Sequence, residues 1–138
     1  MKTKSVLELR EVQTVLKASQ EFATNQGWVV TIAVTDDGGH LLGLFRMDGA
    51  APITAQIAEA KAKTAALARK ETKLIEDMIN NGRTAFVTVP GVEGLLEGGV
   101  PIVVHDYVIG AVGVSGVKAE QDAEIARVGI AALLTSKS

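Results

Sequence analysis

The sequence predicts an α+β fold, an antiparallel sheet with helices packed against it, and three observations carry that prediction. Two pairs of apolar runs each flank a turn signal, four stretches place apolar residues at helical spacing, and the elements follow one another as helix, two strands, two helices, two or three strands, helix. At 138 residues the chain reads as a single domain spanning 1–138, long enough to bury a core without staples.

The first helix is predicted over about Val6 to Gln26. Ser5 and Glu8 stand at capping-box spacing, Leu9, Val12, Leu16, Ser19 and Ala23 recur on one face, and Gly27 supplies a stop. Trp28 to Thr35 is almost wholly apolar and β-branched, which fits a central strand covered on both faces. Asp36-Asp37-Gly38-Gly39 is a turn, and His40 to Phe45 returns as its partner strand. Pro52 suits the opening turn of a helix, where its missing amide costs nothing. Ile53, Ile57, Ala60, Lys61, Thr64, Leu67 and Ala68 then form one stripe, and seven alanines between Ala55 and Ala68 give it a flat, close-packing face. A shorter helix follows over Thr72 to Asn80. Arg83 to Glu97 is irregular, with a short edge strand expected near Val92 to Leu96.

The stretch from Gly98 to Gly116 reads as a second hairpin. Ile102-Val103-Val104 and the run from Val108 to Val114 flank His105-Asp106 at two-residue turn spacing, and Pro101 is expected to open the first strand. Gly110, Gly113 and Gly116 cannot all be turns, so something approaches that strand closely: a helix, another subunit or a flat ligand. Ala119 to Leu134 closes the chain as a helix burying Ile125, Ala126, Gly129, Ile130 and Leu133, with Asp122 in its first turn.

Composition narrows the function classes. A net charge of −2 gives no basic face for nucleic acid, and the lack of cysteine removes disulfides, thiolate metal sites and a cysteine nucleophile. No apolar run suits a signal or a membrane span, so a cytoplasmic protein with no membrane partner is expected. Two histidines without H-x-x-x-H spacing do not make a closed zinc site, and Ser115 lacks the spacing of a nucleophile elbow. No catalytic residue emerges from the sequence. Lys61 on an apolar stripe either snorkels to the rim or is held by an acid, with Asp36, Asp48 and Asp122 as candidates.

Five motifs in order resemble the GlcG/HbpS family, also labelled haem-degrading, to which the C-terminal domain of PduO proteins belongs. They are Asp36-Asp37-Gly38-Gly39, Arg46-Met47-Asp48-Gly49-Ala50, Ala60-Lys61-Ala62-Lys63-Thr64-Ala65, Gly98-Gly99-Val100-Pro101-Ile102, and Gly110 to Gly116 with Asp122 downstream. The resemblance implies a profilin-like fold with a five-stranded antiparallel sheet flanked by helices, and a homo-oligomer, often an octamer. Several members of the family bind haem, so the resemblance makes haem the candidate cofactor, with weak haem-degrading activity as an extension, while other members belong to glycolate, glycerol or diol metabolism without a settled activity. His105-Asp106-Tyr107 departs from relatives that place glycine after an acid at this turn.

Three readings stay open at this stage: a haem-binding protein, a non-haem accessory protein of glycolate, glycerol/diol or corrinoid metabolism, and an assembly module without catalysis. For haem, His40, His105, Met47 and Tyr107 are candidate iron donors and Arg46 a propionate partner. For a small anionic or planar ligand, the expected groove joins Arg46, Met47, Asp48 and Gly49, the start of the Pro52 helix, Lys61, the Gly98, Gly99 and Pro101 bend, and Asp122.

Overall fold

The structure is a computed structural model and describes residues 1–136. Helix α1 (Leu9–Gln26) leads to the hairpin β1 (Thr31–Asp36) and β2 (Leu41–Arg46), then to helices α2 (Ile53–Ala68) and α3 (Thr72–Asn80). A 3-10 turn at Thr84–Thr88 precedes the hairpin β3 (Gly99–Val104) and β4 (Tyr107–Ser115), and α4 (Ala119–Thr135) ends the fold. The four strands are antiparallel in the order β2-β1-β4-β3. Helix α2 covers one face, while α1 and α4 lie together on the other.

The two faces are filled differently. Between the sheet and α1/α4 sits a branched aliphatic core that includes Ile32, Val34, Val112, Val114, Ile125 and Leu133. Under α2 the buried apolar side chains are small, Ala33 with Ala58 and Ala62, and Ala111 with Ala65 and Ala66. Small side chains let the α2 backbone descend onto the strands. A Cβ built on Gly113 would fall 2.0 Å from the Ala58 carbonyl oxygen and 2.5 Å from the Ala62 nitrogen. A helix is therefore what approaches this strand so closely.

Several expectations are corrected. The sheet has four strands, not five, because the segment near Val92 to Leu96 lies across α2 instead of pairing with an edge. Gly94 is pressed so tightly there that a Cβ would sit 2.2 Å from the Ala60 carbonyl carbon. Helix α1 starts at Leu9, with Glu8 as N-cap and its amide donating to the Glu11 carboxylate at 2.8 Å. Leu7 and Val12 occupy the flanking positions of a hydrophobic staple, and both are buried. Burying Leu7 fixes the entry of the chain, which sets the cap three residues after Ser5. Strand β1 begins at Thr31, not Trp28, because Gly27 (φ 76°) and the Trp28 amide, bonded to the Ala23 carbonyl, still complete α1. Trp28 then packs edge-on against Phe22. Pro101 lies inside β3 and not at its start, on an edge strand where its missing donor is tolerated.

The second hairpin closes as its sequence predicts. Val104 pairs with Tyr107, and His105 (φ 50°) and Asp106 (φ 67°) both take the left-handed conformation that a tight two-residue turn requires.

If the glycine contacts set the height of α2, Gly113→Ala forces helix and strand apart. It should destabilise the fold by at least about 2 kcal/mol, an overpacking cost read from urea denaturation midpoints.

Candidate functional site

Lowering α2 onto the sheet buries a charge. Lys61 is 3% exposed, and its Nζ donates to the Val114 carbonyl at 2.9 Å and to Asp122 Oδ2 at 3.2 Å. Asp122, 2% exposed in the first turn of α4, accepts from the Val117 amide through Oδ1 at 3.1 Å. Of the three candidate acids, Asp122 is the one that holds Lys61. The pair thus joins the helix on one face of the sheet to a helix on the other, around the end of β4. Gly98 (φ 132°) closes over it, since a Cβ there would lie 2.7 Å from Lys61 Nζ. Burial pushes the Asp122 carboxyl above its ordinary 3.8, and the Lys61 ammonium and Val117 amide offset this only in part. A raised carboxyl value means that ionisation weighs against folding as pH rises from 3.8 through the folded value.

Strand register shows which predicted residues share a place. Arg46 pairs with Thr31, Thr31 with Ser115, and Gly99 with Gly113, so the Arg46 turn, the Gly98 bend and the Lys61–Asp122 pair belong to one end of the sheet. They do not form one groove across it. Arg46 ends edge strand β2 and Asp48 follows it, while Gly98 immediately precedes edge strand β3 and Pro101 lies in it, about 14 Å away at three interstrand spacings. Arg46 Nε donates to the Ala50 carbonyl at 3.1 Å and closes its own turn. Met47 packs against the aliphatic core.

His40 and His105 lie at the opposite end, in the two hairpin turns. From Ser115, level with Arg46 but two strands away, to Tyr107 is eight residues of β4, about 27 Å. Arg46 therefore cannot meet a propionate of a group ligated by His105. The cations at the histidine end are Lys4 and Arg69. Lys4 pairs with Asp37, and the Arg69 guanidinium donates to the Asp37 carbonyl at 2.6 Å from the left-handed C-cap of α2. A cleft of about 300 Å³ is lined by Lys4, Ser5, Val104, His105 and Tyr107, among others. A second of about 390 Å³ is lined by Lys4, Arg69, Val103, Tyr107 and Val108, with Asp106. Both share Lys4 and Tyr107, so together they wrap the hairpin tip. His40 is 81% exposed on its side chain and bonded to Asp36 at 3.1 Å.

The carboxylates of this end hold their charge. Partial burial would push Asp36 up, but the His40 and Gly38 amides and the His40 ring hold it below 3.8. The Lys4 hydrogen bond does the same for Asp37 against a smaller cost of burial. Depressed values place their contribution above 3.8, to be lost as pH falls through the lower folded values. Sequence reading missed Lys4 and Arg69. One precedes every periodic pattern, the other follows a helix, and only the fold brings both to the hairpin.

A third cleft, of about 250 Å³, runs along the outer side of α2 between Ile53, Gln56, Ile57 and Lys61 and the crossing segment Glu93 to Leu96. It shares the start of the Pro52 helix and Lys61 with the expected groove and replaces the rest.

Residues 7–131 match the family model described as haem degrading protein HbpS-like. The chain belongs to the HbpS-like family. Among relatives of this HbpS-like chain, Protein GlcG of Escherichia coli K12 is 58% identical over 115 residues, which is 83% of this chain and 85% of GlcG. The ORFY protein of Klebsiella pneumoniae superposes with a TM-score of 0.89 at 29% identity, covering 97% of this chain and 96% of that one. A PduOC:heme complex superposes with a TM-score of 0.83 at 26% identity, covering 93% and 95%.

The buried pair gives a sharp test. Lys61→Met leaves the Asp122 carboxylate buried without its cation and should cost about 3–5 kcal/mol at neutral pH. The loss should shrink on acidification, as Asp122 becomes neutral, and Lys61→Met combined with Asp122→Leu should recover most of it. Chemical denaturation at two pH values measures both effects.

Proposed function

We propose that this chain binds haem at the tip of the β3–β4 hairpin. The observation that carries the reading is the shared lining of the two clefts. An imidazole and a phenol, His105 and Tyr107, stand beside two cations, Lys4 and Arg69, with Val103, Val104 and Val108 as apolar walls. That donor set fits haem, which takes an axial nitrogen or oxygen, an apolar surface for its ring and cations for its propionates. The family match and the haem complex of a structural relative support the same reading. Bound haem would supply the iron chemistry; His105 or Tyr107 would hold the metal, and Lys4 and Arg69 the carboxylates. Haem degradation is a finer reading that rests on this binding.

A second reading has its own observation. The cleft along α2 is mostly apolar, with Gln56 and Glu93 as polar groups, and suits a small non-haem ligand of an accessory protein.

A haem titration followed by Soret absorbance separates the two. Wild type should develop a Soret band. His105→Ala or Tyr107→Phe, whichever removes the axial donor, should shift that band and weaken binding by at least about tenfold, near 1.4 kcal/mol. Lys4→Ala and Arg69→Ala should weaken binding without shifting the band, and Arg46→Ala should change neither. A wild type without a Soret band overturns the haem reading and leaves the α2 cleft.

A further inference from the structure

We infer that the Asp37 carboxylate is a built-in counter-ligand of the hairpin-tip site, so that a ligand's carboxylate enters by replacing Asp37 on the Lys4 ammonium. For the identity of that ligand the inference rests on the haem reading above; what it adds is how the chain itself restrains the site. Both cations of the tip end on one residue. Lys4 pairs with the Asp37 carboxylate, and the Arg69 guanidinium donates to the Asp37 carbonyl at 2.6 Å. The two contacts differ in chemistry. Main-chain carbonyls, of Asp37 and of Ala66 at 3.0 Å, position Arg69 without neutralising it, and Arg69 makes no ion pair among the described residues. A carboxylate cancels the charge of Lys4. Lys4 is also the cation that both clefts share, so the masked charge is the one common to the whole site.

The other acids of this end do not take that part. Asp36 is committed to its own turn, where Oδ1 accepts from the Gly38 and His40 amides at 2.9 and 3.0 Å and the His40 ring lies 3.1 Å from Oδ2. Asp106 lines the second cleft and makes no ion pair among the described residues. The Asp37 side chain is 32% exposed, so water can solvate its carboxylate when Lys4 turns to another. The Lys4 hydrogen bond is also the main cause that holds the Asp37 carboxyl below 3.8, which keeps the counter-ligand charged at neutral pH. Lys4 stays at the site whichever carboxylate holds it, because Leu7, three residues on, is buried in the aliphatic core and anchors this arm of the chain. Exchange at a fixed ammonium therefore lowers ligand affinity by the worth of the resident pair, a factor of about two to five for a partly exposed ion pair.

Amine acylation read by peptide mass spectrometry tests the mask without any ligand. Lys2, exposed and without an ion pair among the described residues, is the internal reference. The Lys4-to-Lys2 rate ratio should rise about two- to fivefold in Asp37→Asn, which keeps the side-chain shape and the carbonyl that holds Arg69. The same variant should tighten haem by about the same factor in a Soret titration. Loss of a negative charge near an anionic ligand would tighten binding even without exchange, so the titration is repeated in a Lys4→Ala background. There the gain from Asp37→Asn should vanish, whereas plain charge repulsion would persist. An unchanged labelling ratio, an unchanged haem affinity in Asp37→Asn, or an equal gain without Lys4 overturns the inference and leaves the haem reading standing. A raised labelling ratio with no Soret band in wild type or Asp37→Asn overturns the haem reading and keeps Asp37 as the mask of Lys4.

Discussion

Helix α2 rests on backbone, and the rest of the molecule adjusts to that contact. Gly94, Gly99 and Gly113 each lie where an added Cβ would come within 2.5 Å of α2 main-chain atoms. With the helix this low, Lys61 cannot snorkel past the sheet to water. An unpaired ammonium there would cost several kcal/mol, so a carboxylate has to arrive from elsewhere. Asp122 arrives from α4, on the far side of the sheet, and the ion pair ties the layers together at one end. Gly98 then covers it, which places the start of β3. One packing distance thus governs the edge strand, the closing helix and a buried pair of charges.

The same distance decides what the surface is left with. Alanine and glycine are used inside, where α2 meets the strands. Because α2 lies mainly over β1, β4 and β3, most side chains of β2 stay exposed, while α1 packs on Gly43 through Val12 and Leu16. At the far end, the hairpin tips project beyond the helices and gather Lys4, Arg69, Asp37, His105 and Tyr107. One end of the sheet is therefore structural, closed over its ion pair, and the other offers donors and charges to solvent. A shared fold with GlcG-like and PduO-like relatives places no ligand by itself, since function lives in sites carried on a fold. The chemistry of the hairpin tip is what distinguishes a haem-binding reading here.

Local patterns determined most of the elements of this protein. Four helices, the two hairpins and the His105-Asp106 turn follow from residue spacing, because helix period, strand alternation and turn chemistry act over a few residues. The five motifs were enough for family membership. That Lys61 needed an acid was also legible, from its place on an apolar stripe. What only the tertiary structure decided concerns distance between elements: that Asp122 and not Asp36 or Asp48 is that acid, that Val92 to Leu96 crosses a helix and leaves the sheet at four strands, and that Arg46 and His105 stand at opposite ends. These outcomes depend on how closely α2 approaches the sheet, and that distance is set by backbone atoms meeting through glycines far apart in the chain, which no local pattern encodes.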